Sequence, residues 1–278
     1  MLGMRLSTTQ GFRPRKAEGI AVPVKQCSVC ALIYADPLPI PDSLEDHYGL
    51  AAEHYWRDAG HWTLTHDYFA DEIAHARELL RDQITALDVG VGLGKAMAAM
   101  RNHGFDVRGI EPSATFRELA IKSMGLPPDQ VIHAAVETAE FEQNSFDFVS
   151  FGAVLEHIYD PSAALQRALY WLRPGGIIHA EVPFAGYFFA KIINLFYRVR
   201  GTNYVTNISP MHSPFHLYEF TLKSFQENGR RIGYEVARSE IKAFTVLHLP
   251  KVLHPPLEWW MRLTRSGMQL TVYLRKLA

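Results

Sequence analysis

The chain has 278 residues, is 48% hydrophobic and 21% charged, and carries a formal net charge of −1. That length suits one large α/β domain with additions; the composition excludes an intrinsically disordered chain, and the charge argues against nucleic-acid binding by bulk positive charge. Two cysteines, Cys27 and Cys30, are too few for a secreted disulfide framework, and no apolar run is long enough to span a bilayer.

Residues 1–26 show no periodicity and read as loop or disorder, with Arg5, Arg13, Arg15 and Lys16 ahead of the first acid, Glu18. Cys27-Ser28-Val29-Cys30 resembles half of a zinc ribbon. A structural zinc needs four ligands and no second cysteine pair exists, so no metal is expected there. The aromatic, histidine-rich stretch 42–62 reads as a cover over something rather than a core helix. A helix is expected over 63–81, with Leu64, Tyr68, Ile73, Ala76 and Leu80 along one side.

Strands then alternate with helices. A strand over 84–89 leads into Leu87-Asp88-Val89-Gly90-Val91-Gly92-Leu93-Gly94-Lys95 and a helix over 93–102. A second strand closes on Glu111-Pro112, and Ser113 caps a helix that Gly125 ends. A third strand covers 130–133 and a fourth 146–151. Asp160-Pro161 opens a helix that stops at Arg173-Pro174-Gly175-Gly176, before a fifth strand over 177–182. Residues 183–218 interrupt the pattern. Within them 184–200 read as a helix that is apolar around most of its girth, with Lys191, Asn194 and Arg198 on a narrow polar face. A helix from Thr221 to Asn228 and a strand to Ile241 resume the alternation. A second insertion at about 242–266 holds Trp259 and Trp260, and a last strand covers 269–274. This order predicts a doubly wound, mostly parallel seven-stranded Rossmann-like sheet with an antiparallel last strand. It divides the chain into an N-terminal extension, 1–62, and a domain, 63–278, with two apolar insertions.

The glycine turn is a cofactor signal. A Walker P-loop is excluded, because Val89 stands where its first glycine belongs and Ala96 follows Lys95. A dinucleotide turn fits Gly90 and Gly92 but meets Lys95 at its third glycine. Asp88 would repel a pyrophosphate, whereas a cationic ligand without phosphates would gain from it. Asp88-x-Gly90-x-Gly92-x-Gly94, Glu111, Val136-Glu137, Phe146-Asp147-Phe148-Val149 with Leu155-Glu156-His157-Ile158, and Leu172-Arg173-Pro174-Gly175-Gly176 together resemble a class I S-adenosylmethionine-dependent methyltransferase. Cys27-x-x-Cys30, Asp36-Pro37-Leu38-Pro39 and Asp46-His47-Tyr48-Gly49 also resemble the start of a bacterial subfamily.

The resemblance implies S-adenosylmethionine as cofactor, held by Asp88, Gly90, Gly92, Gly94, Glu111, Pro112, Val136, Glu137, Phe151 and Gly152. Glu111 would take the ribose hydroxyls, since a carboxylate can accept from both oxygens of a diol. His157, just beyond the fourth strand, is a candidate general base or a structural partner. His216, before the helix at Thr221, is a second candidate that could equally pin the insertion down. No metal is assigned. The expected acceptor is a small molecule, glycan or lipid-linked intermediate, methylated on oxygen. The apolar helix 184–200 reads as a buried or lid element, or as a peripheral membrane contact of a cytoplasmic protein. A methyltransferase fold that binds without catalysis is the competing reading, and a nicotinamide oxidoreductase is disfavoured by Asp88 and Lys95.

Overall fold

A computed structural model describes residues 1–7, 20–40, 63–80, 83–212, 214–244 and 249–277. The aromatic stretch 42–62 lies outside the described residues. The strands, in chain order, are β1 Gly3–Leu6, β2 Ala21–Gln26, β3 Ile33–Ala35, β4 Thr85–Val89, β5 Asp106–Glu111, β6 Val131–His133, β7 Phe146–Gly152, β8 Leu172–Pro183, β9 Tyr218–Glu219, β10 Tyr234–Lys242 and β11 Gln269–Lys276. The helices are α1 Ala70–Leu79, α2 Lys95–Asn102, α3 Ala114–Met124, α4 Pro161–Trp171, α5 Phe188–Val199, α6 Leu222–Ile232 and α7 His254–Leu263.

Seven strands form one sheet in the order β10-β11-β8-β7-β4-β5-β6. β4 pairs in parallel with both β5 and β7, and β8 pairs in parallel with β7; β11 is antiparallel to β8 and to β10. Strand residues alternate between two cores. Leu87, Val149, Ile178 and Val272 pack with Leu165 of α4 and Phe225 of α6. Ala86, Phe148 and Tyr273 pack with Ile73 of α1, Met97 of α2 and Ala120 of α3 on the opposite face. This double cover is what a buried parallel sheet requires. The chain runs from β4 outward to β6, then returns to β7 on the other side of β4. The crevice between β4 and β7 is therefore the switch point, where open α/β sheets bind ligands.

The caps read from the sequence are in place. Ser113 Oγ accepts from Phe116 N, and Asp160 Oδ1 accepts from Ala163 N. Other boundaries differ. α1 begins at Ala70, not Thr63, because Phe69 takes the left-handed conformation (φ 63°) and breaks the helix. β8 starts at Leu172, directly after α4, and runs through the Arg-Pro-Gly-Gly turn. α6 continues through Gly229 to Ile232. A Cβ at 229 would lie 2.4 Å from the Tyr234 carbonyl oxygen, so this glycine lets the chain reverse closely into β10.

The larger correction concerns the N-terminus. The expected loop over 1–26 contains β1 and β2, which join β3 and β9 in a four-stranded antiparallel sheet. The first insertion completes this layer. Met4 N donates to Asn203 O at 2.8 Å, and Val205 N donates to Met4 O at 3.0 Å. Val22, Val24 and Ile33 pack with Val205 and Ile208 of the insertion in a third core. Arg5, only 2% exposed, donates to the Val205 carbonyl at 3.3 Å and to His212 Nε2 at 3.0 Å. On α5, Asn194 points inward. It accepts from Thr206 N at 2.8 Å and donates to Asn207 Oδ1 at 2.7 Å, while Leu195, Phe196 and Val199 are exposed. The narrow polar face thus meets the protein through Asn194, and much of the apolar girth faces out.

Arg5→Ala is expected to destabilise the fold by about 3 kcal/mol, because the buried Val205 carbonyl and the half-buried His212 ring lose their donor. Urea unfolding checks this; a change within about 0.5 kcal/mol would show that the N-terminal layer adds little to stability.

Candidate functional site

The glycine turn leaves β4 at the switch point. Gly90, Gly92 and Gly94 all have positive φ, at 74°, 54° and 80°. Gly90 N and Val91 N both donate to Ile110 O, at 2.9 and 3.2 Å, which folds the turn back onto β5. Among the described residues, a Cβ on Gly92 would meet no atom closer than 3.9 Å, so none of them closes its outer side. Gly94 is the N-cap of α2 and supplies no side-chain acceptor, which leaves the first N–H groups of the helix uncapped by a side chain.

Glu111 closes the other side of this cradle. Its Oε2 accepts from Gly92 N at 2.8 Å, and its Oε1 accepts from Ser113 N at 2.9 Å. Each carboxylate oxygen retains capacity for a second donor, which is the requirement for holding a diol. Burial pushes the Glu111 carboxyl above its ordinary range, against the two amides that favour its charge. Asp88 lies at the centre of the crevice, in register with Gly109 of β5 and Ser150 of β7. Burial raises it to about 8, the negative charge of Glu111 adds to the shift, and the Met97 N–H opposes it. A pair of buried carboxyls beside an uncapped helix start and an open glycine suits a ligand that brings both a positive charge and hydroxyl donors. The residues therefore fit S-adenosylmethionine.

The other predicted cofactor residues are placed as follows. The Pro112 carbonyl accepts from His133 Nε2 at 2.8 Å, tying the ends of β5 and β6. Val136 is buried in the core, while Glu137 is exposed and lines a groove of about 690 Å³ with Phe141, Arg167, Tyr170 and Trp171. That groove contains none of the glycine-turn residues. The Phe151 side chain is fully buried with the core beneath α4, so it offers a ligand only its backbone; Gly152 ends β7 beside the crevice.

His157 and His216 come together although 59 residues separate them in the chain. Their rings lie 5.0 Å apart, edge to face. Leu217 N donates to Glu156 O at 2.7 Å, laying the end of the insertion over the segment that follows β7. His157 Nδ1 donates to the Phe215 carbonyl at 3.3 Å, which in the neutral ring puts the lone pair on Nε2. That Nε2 lies 4.0 Å from Glu156 Oε1. Burial, with the charge of His212 second, holds His216 down at about 4, so its imidazole is neutral. Glu156 is 2% exposed, and burial raises its carboxyl to about 8, against its own backbone amide and with Glu181 adding. Two residues here adopt positive φ without being glycine: Ala153 at 55°, directly after β7, and Phe215 at 61°, whose carbonyl holds His157. Strain of this kind is kept where surrounding contacts enforce it.

Several polar residues at these strand ends escaped sequence reasoning. Lys242 Nζ donates to Glu181 Oε1 at 3.3 Å and also to Glu72. His179, fully buried, is bonded through Nδ1 to Ser150 Oγ at 3.1 Å. Tyr68 lies under the Lys95 ammonium, 4.2 Å from ring centroid to nitrogen. The available signal was His179 and Glu181 inside an otherwise apolar strand, where buried polar groups need partners.

Residues 87–180 match the family described as methyltransferase domain. Phosphoethanolamine N-methyltransferase 2 of Caenorhabditis elegans is 30% identical over 107 residues, 37% of this chain and 24% of that protein. A ubiquinone biosynthesis O-methyltransferase of Paracidovorax citrulli is 36% identical over 94 residues, 32% of this chain and 40% of that protein. The chain thus matches less than two thirds of these relatives' lengths. Among solved structures, a SAM-dependent methyltransferase of Methanosarcina mazei superposes with a TM-score of 0.53 at 18% identity, covering 74% of this chain and 97% of that one. At that identity the likeness is one of fold.

Two outcomes are expected from titration calorimetry with S-adenosylmethionine. Glu111→Gln weakens binding by about tenfold or more, roughly 1.4 kcal/mol, because an amide nitrogen cannot accept from Gly92 or Ser113; unchanged affinity would remove Glu111 from the site. At pH 7 binding releases up to about one proton. Asp88, at about 8 when free, is then mostly protonated, and a cation beside it favours the carboxylate. Measured heats should therefore differ between buffers of different ionisation enthalpy, and differ less in Asp88→Asn. Equal heats for the native protein would contradict the assignment.

Proposed function

We propose, from the match of residues 87–180 to the methyltransferase domain family and the likeness to a SAM-dependent methyltransferase fold, that the protein transfers a methyl group from S-adenosylmethionine to an oxygen of an apolar, membrane-associated acceptor. The carrying observation is the Gly92–Glu111 cradle with Asp88 buried beside it. When bound, S-adenosylmethionine supplies a methyl group activated by its sulfonium. The chain does the rest. Glu111 holds the ribose hydroxyls, Asp88 balances the ammonium, and the turn at Gly92 leaves room for close approach. The acceptor oxygen lies against Glu156, His157 and His216, beyond the end of β7, where the insertion excludes water. Burial of the reacting groups strengthens these electrostatic contacts.

The choice of oxygen is supported by two imidazoles and a carboxyl at that position, groups that can take a hydroxyl's proton. The ubiquinone biosynthesis O-methyltransferase points the same way, although the other relative reported above is an N-methyltransferase. The apolar character of the acceptor rests on the two insertions. Ile192, Leu195, Phe196 and Val199 of α5 are exposed, as are Trp259, Trp260 and Leu263 of α7. Phe188 N donates to Ser266 O at 3.0 Å, so the start of α5 is tied to the end of the second insertion. Lys191, Arg198 and Arg200 accompany the first group, and Lys251, Arg262 and Arg265 the second, against the single acid Glu258. Exposed tryptophans with surrounding cations suit an anionic lipid surface. Among the described residues no helix is long and apolar enough to cross a membrane, so the contact is peripheral.

Isotope-labelled S-adenosylmethionine incubated with the protein and a lipid extract tests the reaction. Label in an ether-linked lipid product supports it; cofactor binding without transfer to any extract fraction favours a binding role. For the surface, the protein is expected to float with anionic vesicles, and Trp259→Ser with Trp260→Ser to cut the floated fraction roughly fivefold. Equal flotation of the two forms, or none by either, would refute the membrane contact.

A further inference from the structure

Two groups of acidic and histidine side chains converge at the strand ends: Glu72, His179 and Glu181, and Glu156, His157 and His216. They differ in what already neutralises them. In the first, the Lys242 ammonium donates to both carboxylates, and His179 is bonded to Ser150. That group carries its own cation. In the second, among the described residues, no lysine or arginine lies within 4.0 Å of Glu156 and Glu156 Oε2, fully buried, has no hydrogen-bond partner. An orphaned buried carboxylate oxygen is costly unless a cation meets it.

We propose that Glu156, His157 and His216 form a binding site for a first-row divalent cation whose remaining coordination positions receive the acceptor's oxygen. The ligand atoms of the three residues lie within 4.8 Å of one another. A cation about 2.1 Å from each ligand spans at most about 4.2 Å between opposed ligands, so small side-chain adjustments close the set. The donors suit the ion. His157 gives its Nδ1 proton to the Phe215 carbonyl and turns the Nε2 lone pair toward Glu156. A ligating imidazole anchored through its other nitrogen is the usual arrangement of a metal site. His216 is fixed by its backbone, with His216 N donating to Ser209 Oγ at 3.1 Å and Ser209 N donating to His216 O at 2.8 Å. Two imidazoles and one carboxylate leave open positions and favour manganese, iron or zinc over calcium. The role at the acceptor rests on the methyltransferase reading, with the cation, rather than His157, lowering the proton affinity of the acceptor hydroxyl; the binding site itself does not rest on that reading.

The test uses the full chain without a histidine tag and Mn²⁺ as probe, followed by electron paramagnetic resonance and calorimetry. Mn²⁺ largely ignores thiols, which keeps Cys27 and Cys30 out of the measurement. The expected result is one saturable Mn²⁺ per chain, weakened at least tenfold in Glu156→Gln and in His216→Ala, with thermal unfolding showing that the variants fold. Should Glu156→Gln fail to fold, His216→Ala decides alone, since its ring is partly exposed and its removal leaves the Ser209 backbone contacts in place. No saturable binding up to about 1 mM, or binding unchanged in the variants, overturns the site. S-adenosylmethionine is titrated into the same samples. Mn²⁺ binding without cofactor binding upholds the site and counts against the methyltransferase reading; cofactor binding without Mn²⁺ binding does the reverse.

Discussion

The carboxylate of Glu111 accepts one N–H from the glycine turn after β4 and one from the start of α3 after β5, at 2.8 and 2.9 Å. Two neighbouring parallel strands are thereby locked at the ends where ligands bind. The turn itself has little choice of shape: three glycines at positive φ and two N–H groups on the Ile110 carbonyl define it. A ligand with positive charge and hydroxyl groups would offset the cost of burying Glu111 and Asp88 together. Raised carboxyls at such a position are a mark of function more than of stability.

A second layer depends on that first one for its place. β1, β2, β3 and β9 form a small sheet across chain segments nearly 200 residues apart, and Arg5 links the N-terminal strand to Val205 and His212. The same insertion carries His216 back to His157, under the carbonyl of a strained Phe215. Half-buried Glu219, at the end of this insertion, accepts from Asn207 Nδ2 and from Ile208 N, and so keeps the return path fixed. The His157–His216 side of the crevice is therefore a product of long-range packing. The Gly92–Glu111 side is a product of one strand–turn–helix unit and its neighbour.

That difference explains what could be read from the chain. The sheet, its antiparallel last strand, the caps at Ser113 and Asp160, and the grouping of Asp88 with Gly90, Gly92 and Gly94 follow from local patterns: period-3.6 helices, short β-branched runs and a glycine turn with an acid before it; Glu111 joined that group through the family resemblance. The N-terminal sheet was invisible because β1 has only four residues, its partner β2 lies across 7–20, and its other side meets 203–205, beyond any local periodicity. The start of α1 was misplaced because the apolar spacing continues past a left-handed Phe69. The Lys242–Glu72–Glu181 group was missed since Lys242 and Glu72, taken alone, resemble ordinary surface charges, and Glu181 in its apolar strand does not name its partners. The apolar character of 184–200 was legible; its direction was not, because Asn194 turns inward to partners at 206 and 207.

The central claim is that the crevice between β4 and β7 holds S-adenosylmethionine by its charge and its ribose. A crystal structure of the protein with S-adenosylhomocysteine measures this most directly. The account predicts the ribose hydroxyls within hydrogen-bond distance of both Glu111 oxygens, the amino group on the Asp88 side, and the thioether sulfur facing the His157–His216 pair. Ligand density in the groove lined by Glu137 and Tyr170, or a ribose turned away from Glu111, would contradict it.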